Sequence, residues 1–320
     1  MPSHCANKPK PDTRPHDEDP GADYQQALED GWLPIREVAR VTGVNAVTLR
    51  AWERRYGLIV PQRTPKGHRL FSAEHVQRIH NILTWLNRGV TASQVKQLLD
   101  TPQALSESVE NDWHVLRLNL IQAISQLVER QLDDTLNQVM SLYPPRTLCE
   151  QLLMPLLVEL EQRWQGQFGA QMERAFFYSW LRSKFGARIY HNNRQLRGAP
   201  LLLINHSDLP LEPHLWLTAW LISSADCPVE VFDWPLPAGE LALAVEQLQA
   251  RGVLLYSSKA INLKQLPKLL HKVSCPKLVA GPAVRIHHTE LSAKASEIAD
   301  LSLAVDPLSA HQALVQRGLI

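Results

Sequence analysis

The chain has 320 residues, 45% of them hydrophobic, and a formal charge of +1. That length calls for two or three packed domains rather than one. Four widely spaced cysteines without a CxxC pair indicate neither a disulfide framework nor a zinc site. The lack of an apolar leader or an 18-residue apolar run points to the cytoplasm, with no membrane partner.

Residues 1–31 are rich in Pro, Asp, Lys and His, bury little, and read as a disordered tail. The small net charge hides an asymmetry. Ile35 to Asp100 holds eleven Lys and Arg against four Asp and Glu, a balance of +7 that leaves −6 for the remainder. A basic module joined to a mildly acidic body suits a protein that meets a polyanion at one end.

Within that module Ile35, Val38, Ala39, Val41 and Val44 have the spacing of a short amphipathic helix stopped at Gly43, where a left-handed residue allows a sharp turn. Asn45 is the expected N-cap of a second helix whose Val47, Leu49, Trp52 and Tyr56 face inward. Its outer face carries Thr48, Arg50, Glu53 and Arg54, with Arg55 beside them, and Gly57 ends it. Two helices joined by a tight turn, the second cationic, predict a helix-turn-helix. Pro61 to Pro65 and Gly67 then bracket a short hairpin bearing Arg63, Lys66, His68 and Arg69, and Phe71 returns to the core. Such a wing sets cations beside phosphates while the helix meets base edges.

The succession VTLRAWERRYGL and PQRTPKGHRLF resembles the winged helix of MerR-type transcription regulators over residues 33–99, in the wording of the branch that holds MlrA-like regulators and cobalamin-responsive carotenoid repressors. The resemblance implies base or phosphate contacts from Thr48, Arg50, Trp52 and Arg55, and wing phosphate contacts from Arg63, Lys66, His68 and Arg69. It also implies a double-stranded promoter as partner, with RNA polymerase nearby. Two heads on a palindrome supply the base contacts that one lacks, so a homodimer is expected.

A helix over Ser72 to Leu86, with Ser72 as N-cap, and a short one ending near Leu99 complete the head, residues 32–100. Residues 101–111 are polar and read as a linker. A four-helix bundle is expected over 112–195, broken at about Gln131, at Tyr143-Pro144-Pro145 and around Gly166 to Gly169. Phe176, Phe177, Trp180, Leu181, Phe185 and Ile189 make its last helix a bulky apolar face, either bundle core or the roof of a ligand. From residue 199 the period changes. Apolar runs at Leu201, Val229, Val253, Lys277 and Leu301 alternate with helices beginning near Leu211, Gly239, Leu263, Thr289 and Ser309. Strands apolar throughout, with helices between, predict a parallel sheet covered on both faces and a site at the strands' carboxyl ends. The fold class is therefore mixed: an α-helical winged helix-turn-helix head, a four-helix bundle, and an α/β flavodoxin-like doubly wound parallel sheet.

Bundle followed by sheet resembles the cobalamin-binding modules of the same branch. The resemblance implies an axial cobalt ligand from His214 in the run Glu212-Pro213-His214-Leu215-Trp216-Leu217, with Glu212 fixing its tautomer, Ser258 at the end of the third strand, and Trp164 in the bundle. The sequence departs from that pattern in several places. Leu217 stands where a glycine lets the cofactor's nucleotide tail approach, Gly281-Pro282 replaces a glycine pair, and Arg174 replaces a histidine beside Trp164 and Glu173. The expected cofactor is accordingly none, and a cobalamin-dependent light or cofactor switch is the alternative. The preferred reading of His214 is a helix N-terminal residue on a partly exposed loop.

Enzyme signatures are missing: no GxSxG elbow, Walker loop, GxGxxG or HExxH. Ser258, His206 and Asp208 make a poor triad because the last two share one loop, and His287-His288 reads as a surface pair. The expected function is a sequence-specific transcription regulator with a sensor or oligomerisation body.

Overall fold

The computed structural model describes residues 28–100, 109–207 and 209–320. The tail over 1–27, most of the linker and Asp208 lie outside the described residues. The chain divides into two compact units, one gathering the residues up to Trp85 with Val95–Pro102, the other Leu86–Gln94 with Gln103–Ile320.

The first unit opens with β1 (Leu33–Pro34) and α1 (Ile35–Thr42), which stops at Gly43 with φ 70°. Asn45 caps α2 (Ala46–Ala51), its side chain accepting the Thr48 N–H at 2.8 Å. The helix runs on through one π turn, Trp52–Tyr56, and ends at Gly57, φ 57°. The Leu58 N–H reaches back to the Trp52 carbonyl at 3.1 Å, closing the helix in the manner of a left-handed C-terminal motif. The wing is β2 (Gln62–Arg63) with β3 (Arg69–Phe71), and β1 adds a third antiparallel strand against β3. Helices α3 (Ala73–Asn87) and α4 (Ala92–Asp100) follow. Val38, Leu49, Trp52, Leu58, Phe71 and Ile79 are buried together, each contributing roughly 1.5–3 kcal/mol by the area it removes from water.

In the second unit the bundle comprises α5 (Val109–Ser125), α6 (Glu129–Met140), α7 (Pro145–Leu148) continued through a π turn (Cys149–Leu153) into α8 (Met154–Arg163), and α9 (Ala170–Asn193). The first break falls at Leu127, φ 55°, before the expected Gln131, because a non-glycine residue takes the left-handed turn and leaves no composition signal. Pro155 sits inside the third helix because the π turn before it absorbs the missing donor. The Gln151 carbonyl, which Pro155 cannot serve, accepts from Arg117 Nη1 at 3.4 Å. Segment 86–94 is tied to this unit: Trp113 Nε1 donates to the Gly89 carbonyl at 2.5 Å, and Thr147 Oγ1 to Asn87 Oδ1 at 3.0 Å.

The sheet is parallel in the order β5-β4-β6-β7-β8, with β4 Leu201–Asn205, β5 Val229–Phe232, β6 Gly252–Tyr256, β7 Lys277–Ala280 and β8 Leu301–Ala304. Every residue of β4, β6 and β7 is buried, as a sheet covered on both faces requires. Helices α10 (Pro213–Ser223), α11 (Ala238–Leu248), α12 (Leu266–Leu270), α13 (Pro282–Ile286), α14 (His288–Glu297) and α15 (Pro307–Gln316) fill the connections. The last begins ahead of the expected Ser309, because Asp306 and Ser309 form a capping box with Pro307 in the first turn. The apolar face of α9 is buried, at Phe177, Trp180, Leu181, Phe185 and Ile189, and part of it packs on the sheet-covering helix α10, Phe185 and Trp220 having ring centroids 5.1 Å apart.

Candidate DNA interface and candidate effector cavity

Starting the second helix at Ala46 sets which residues face out. Thr48, Leu49 and Trp52 turn inward, Thr48 at 2% and Trp52 at 0% exposure, while Val47, Arg50 and Arg54, spaced by three and four residues, face solvent with Arg55 beside them. This corrects three expectations. Val47 is outside the core, and neither Thr48 nor Trp52 has surface with which to touch DNA. Trp52 instead anchors the helix that carries the cations. No hydrogen bond or ion pair holds the Arg50, Arg54 or Arg55 side chains among the described residues, so their guanidiniums can reach a ligand.

The wing arginines are arranged differently. Glu53, on the π turn, accepts from Arg63 Nη2 at 2.6 Å and from Arg69 Nε at 2.5 Å. Its partial burial works to raise the carboxyl's pKa, but the bonds from Arg69 and Arg63 outweigh that and hold it below the ordinary value. One carboxylate thus fastens both wing strands to the recognition helix, and Arg63 and Arg69 spend charge on that clasp. Lys66 and His68 stand exposed at the wing tip, where Gly67 takes φ 85° and the Thr64 N–H bonds the His68 carbonyl at 2.9 Å. Sequence reasoning put Glu53 on the outer face without finding its partners, ten and sixteen residues away.

A second site lies in the body. A cavity of about 850 Å³, within the size range of small-molecule pockets, opens between helices α8 and α9 and the carboxyl ends of β4, β5 and β6. That is the end of the sheet where the strand order predicts a ligand. Ten of the eleven residues of α10 are buried, and His214 alone is half-buried, at the cavity wall. Glu212 behind it is 1% exposed; Ser207 Oγ donates to its Oε2 at 2.6 Å, and His214 Nδ1 lies 3.5 Å from its Oε1. Burial works to raise the Glu212 carboxyl, and bonds from His214, Ser207 and Ser258 outweigh it, so the group is held as a carboxylate. The His214 ring lies parallel to buried Tyr256, centroids 6.2 Å apart.

Glu212, His214 and Ser258 are therefore brought together at one wall. Trp164 is not. It is buried in the bundle, where its Nε1 donates to Glu173 Oε2 at 3.0 Å and Arg174 lies 5.2 Å over its ring, so only Arg174 of that cluster reaches the cavity. The expected triad has no geometry to report, Asp208 lying outside the described residues.

Sequence reading missed the opposite wall. Arg174, Tyr178 and Arg182 recur every four residues along α9, a polar stripe beside the apolar one that could have been noticed. Glu161 takes Arg174 at 2.5 Å and the Tyr178 hydroxyl at 2.5 Å, while Asp233 takes Arg182 at 2.6 Å and Trp216 Nε1 at 2.9 Å. Each lining carboxylate is thus already satisfied, which fixes the wall.

Cobalamin fits this site at one end only. A histidine backed by a buried carboxylate is the donor arrangement an axial metal ligand needs. The tail end is closed: Leu217 is wholly buried within α10, so packed side chain fills the place that the resemblance leaves to a glycine.

Residues 33–101 match the MerR HTH family regulatory protein model, and residues 116–189, the helical bundle, match a B12 binding domain model. The chain is 32% identical over 202 residues to the HTH-type transcriptional regulator MlrA of Salmonella typhimurium, a span of 62% of this chain and 78% of that protein. Against MlrA of Escherichia coli it is 31% identical over 197 residues, with the same coverage. It is 28% identical over 143 residues to the HTH-type transcriptional repressor CarH of Myxococcus xanthus, covering 41% of this chain and 47% of that one.

Proposed function

The chain belongs to the MerR-type helix-turn-helix transcriptional regulators, with a cobalamin-binding-like body behind the DNA-binding head, and we propose that it acts as a homodimer on a palindromic promoter, its body holding an effector. The observation that carries the DNA reading is the exposed row Val47, Arg50 and Arg54 on a helix anchored by buried Trp52, with a wing clasped to that helix through Glu53. Arg50 is the base-reading side chain, since a guanidinium on the first turns of a recognition helix can take guanine bidentately. Arg54, Arg55, Lys66 and His68 meet phosphates; Arg63 and Arg69 position the wing that presents the last two.

Pairing follows from energetics. One short helix reads too few bases for useful selectivity, whereas two heads double both base contacts and released counterions. RNA polymerase is the neighbour of such a dimer, and the cytoplasm its place of action. A colourless effector is compatible with this reading; a coloured one makes the chain a cofactor switch. Mapping bound sites across the genome tests it: recovery of one inverted-repeat motif upstream of genes supports the dimer on a palindrome, and a half-site motif without symmetry contradicts it.

A further inference from the structure

Position 47 on the recognition helix carries a side chain whose chemistry does not match its neighbours on the surface. Val47 is 59% exposed on the first turn of α2, between a half-buried Ala46 and a Thr48 at 2% exposure. The face it shares with Arg50 and Arg54 is otherwise cationic, yet valine offers a phosphate neither a charge nor a hydrogen-bond donor. Leaving its methyl groups in water gains the fold nothing, and alanine would suit the helix better.

The side chain is also held in one orientation. Asn45 fixes the start of the helix, its Oδ1 accepting the Thr48 N–H at 2.8 Å and its carbonyl accepting the Leu49 N–H at 3.1 Å, and both Thr48 and Leu49 are packed inward. A β-branched residue in a helix keeps essentially one χ1 rotamer, so the two methyls point one way and lose little freedom on contact. Residues at the start of such a helix are the ones that reach base edges. The base edges lining the major groove present hydrogen-bond donors and acceptors, and thymine alone adds a methyl group, at C5. Three residues along the helix advance about 4.5 Å, against about 3.4 Å for one base-pair step, so Val47 falls one or two base pairs from the base that Arg50 takes.

We infer that Val47 is a specificity-determining residue that reads the C5 methyl of a thymine, one or two base pairs from the base read by Arg50. Arg50 supplies hydrogen bonds; Val47 supplies an apolar contact that thymine completes and the other three bases do not. The inference rests on the reading of the head as a DNA reader and deepens it by naming one base of the site.

The test uses the full chain and a duplex that it selects from a random-sequence pool. Each thymine is replaced in turn by deoxyuridine, which pairs alike and lacks only the methyl, and wild type, Val47→Ala, Val47→Ile and Arg50→Ala are titrated against the series. One thymine in each half-site is expected to matter. Deoxyuridine there should weaken wild type about fourfold, the effect of losing one buried methyl. Val47→Ala should bind the two duplexes equally, and Val47→Ile, which keeps a branched apolar side chain, should still tell them apart. Val47→Ala should melt as wild type does, because the side chain is exposed, so its weaker binding is not misfolding. A selected site without a thymine at that distance, deoxyuridine tolerated by wild type at every thymine, or a methyl effect undiminished in Val47→Ala overturns the inference. When any of these accompanies selectivity that Arg50→Ala abolishes, the head's function stands; wild type that selects no sequence brings down both.

Discussion

The Glu53 carboxylate on the recognition helix accepts the Arg69 Nε–H of the wing at 2.5 Å, and the same carboxylate holds Arg63. Wing and helix are therefore one mechanical piece, and Glu53→Gln should separate them. A glutamine loses both ion pairs at partly exposed positions, a loss of about 1 kcal/mol. Operator selectivity should fall in competition binding while affinity for random duplex holds, because a negative charge leaves as the wing loosens. Unchanged selectivity would show that the clasp does not shape the interface.

The same pair carries a pH signature. Glu53 has a folded-state pKa below the ordinary carboxylate value, so its contribution is present at pH above about 4.3 and is lost as acid carries the protein down through the lowered value. The difference in unfolding free energy between wild type and Glu53→Gln, taken from denaturant curves at several pH values, should be constant near neutrality and shrink below about pH 4. A difference that grows on acidification has the wrong sign for this clasp.

The cations should divide by role. Arg54→Ala and Arg55→Ala should each weaken binding to all duplexes and reduce the slope of log affinity against log salt by about 1, as expected for one lost phosphate contact. Arg69→Ala should do something else: it strands Glu53 and disturbs the wing, lowering thermal stability as well as affinity. Equal stability of Arg69→Ala and Arg54→Ala in a melting experiment would contradict the division.

Much of the head is legible in the sequence because glycine and cap positions are local signals: Gly43, Gly57 and Asn45 each do what their residue type permits. Apolar spacing placed Trp52 in the core, and the structure agrees with that spacing over the family resemblance, which gave the same residue a DNA contact. Three kinds of feature were illegible. The two-residue strand β1 is too short to show a period, and the π turns at Trp52–Tyr56 and Cys149–Leu153 keep helical composition while changing the register. Long-range partners leave no local trace: Glu53 lies sixteen residues from Arg69 and Asp233 fifty-one from Arg182. The parallel sheet was legible, since alternation of apolar runs and helices calls for one, whereas the order of its strands, β5-β4-β6-β7-β8, leaves no mark in that alternation. The wall of the cavity given by α9 was not legible either, because its polar stripe means nothing until the sheet packs beneath it.

Gly281 has φ 106°, and a Cβ built there would stand 2.4 Å from the Ser257 carbonyl oxygen. Backbone cannot step aside as a side-chain end can. Gly281→Ala should destabilise the body by about 2 kcal/mol or more through strain and overlap, read as a lowered denaturant midpoint. A midpoint matching wild type would mean that the loop after β7 is free to move.

Asp133 joins α6 to α9 by accepting from Trp180 Nε1 at 2.9 Å and Lys184 Nζ at 2.8 Å. Asp133→Ala leaves a largely buried ammonium and an indole N–H without this partner and should cost roughly 1–3 kcal/mol, whereas Asp133→Asn, which can still accept from the indole, should cost less. Equal losses in chemical denaturation would assign the effect to packing and not to these bonds.

Binding of the full chain to duplexes selected from a random-sequence pool, followed across a salt titration with wild type and Arg50→Ala side by side, tests the central claim most directly. The arrangement of the head predicts tight, salt-sensitive binding to a selected sequence, with Arg50→Ala losing about 1–3 kcal/mol on that sequence and little on random DNA. No binding at low ionic strength, or an Arg50→Ala variant that discriminates as well as wild type, would contradict it.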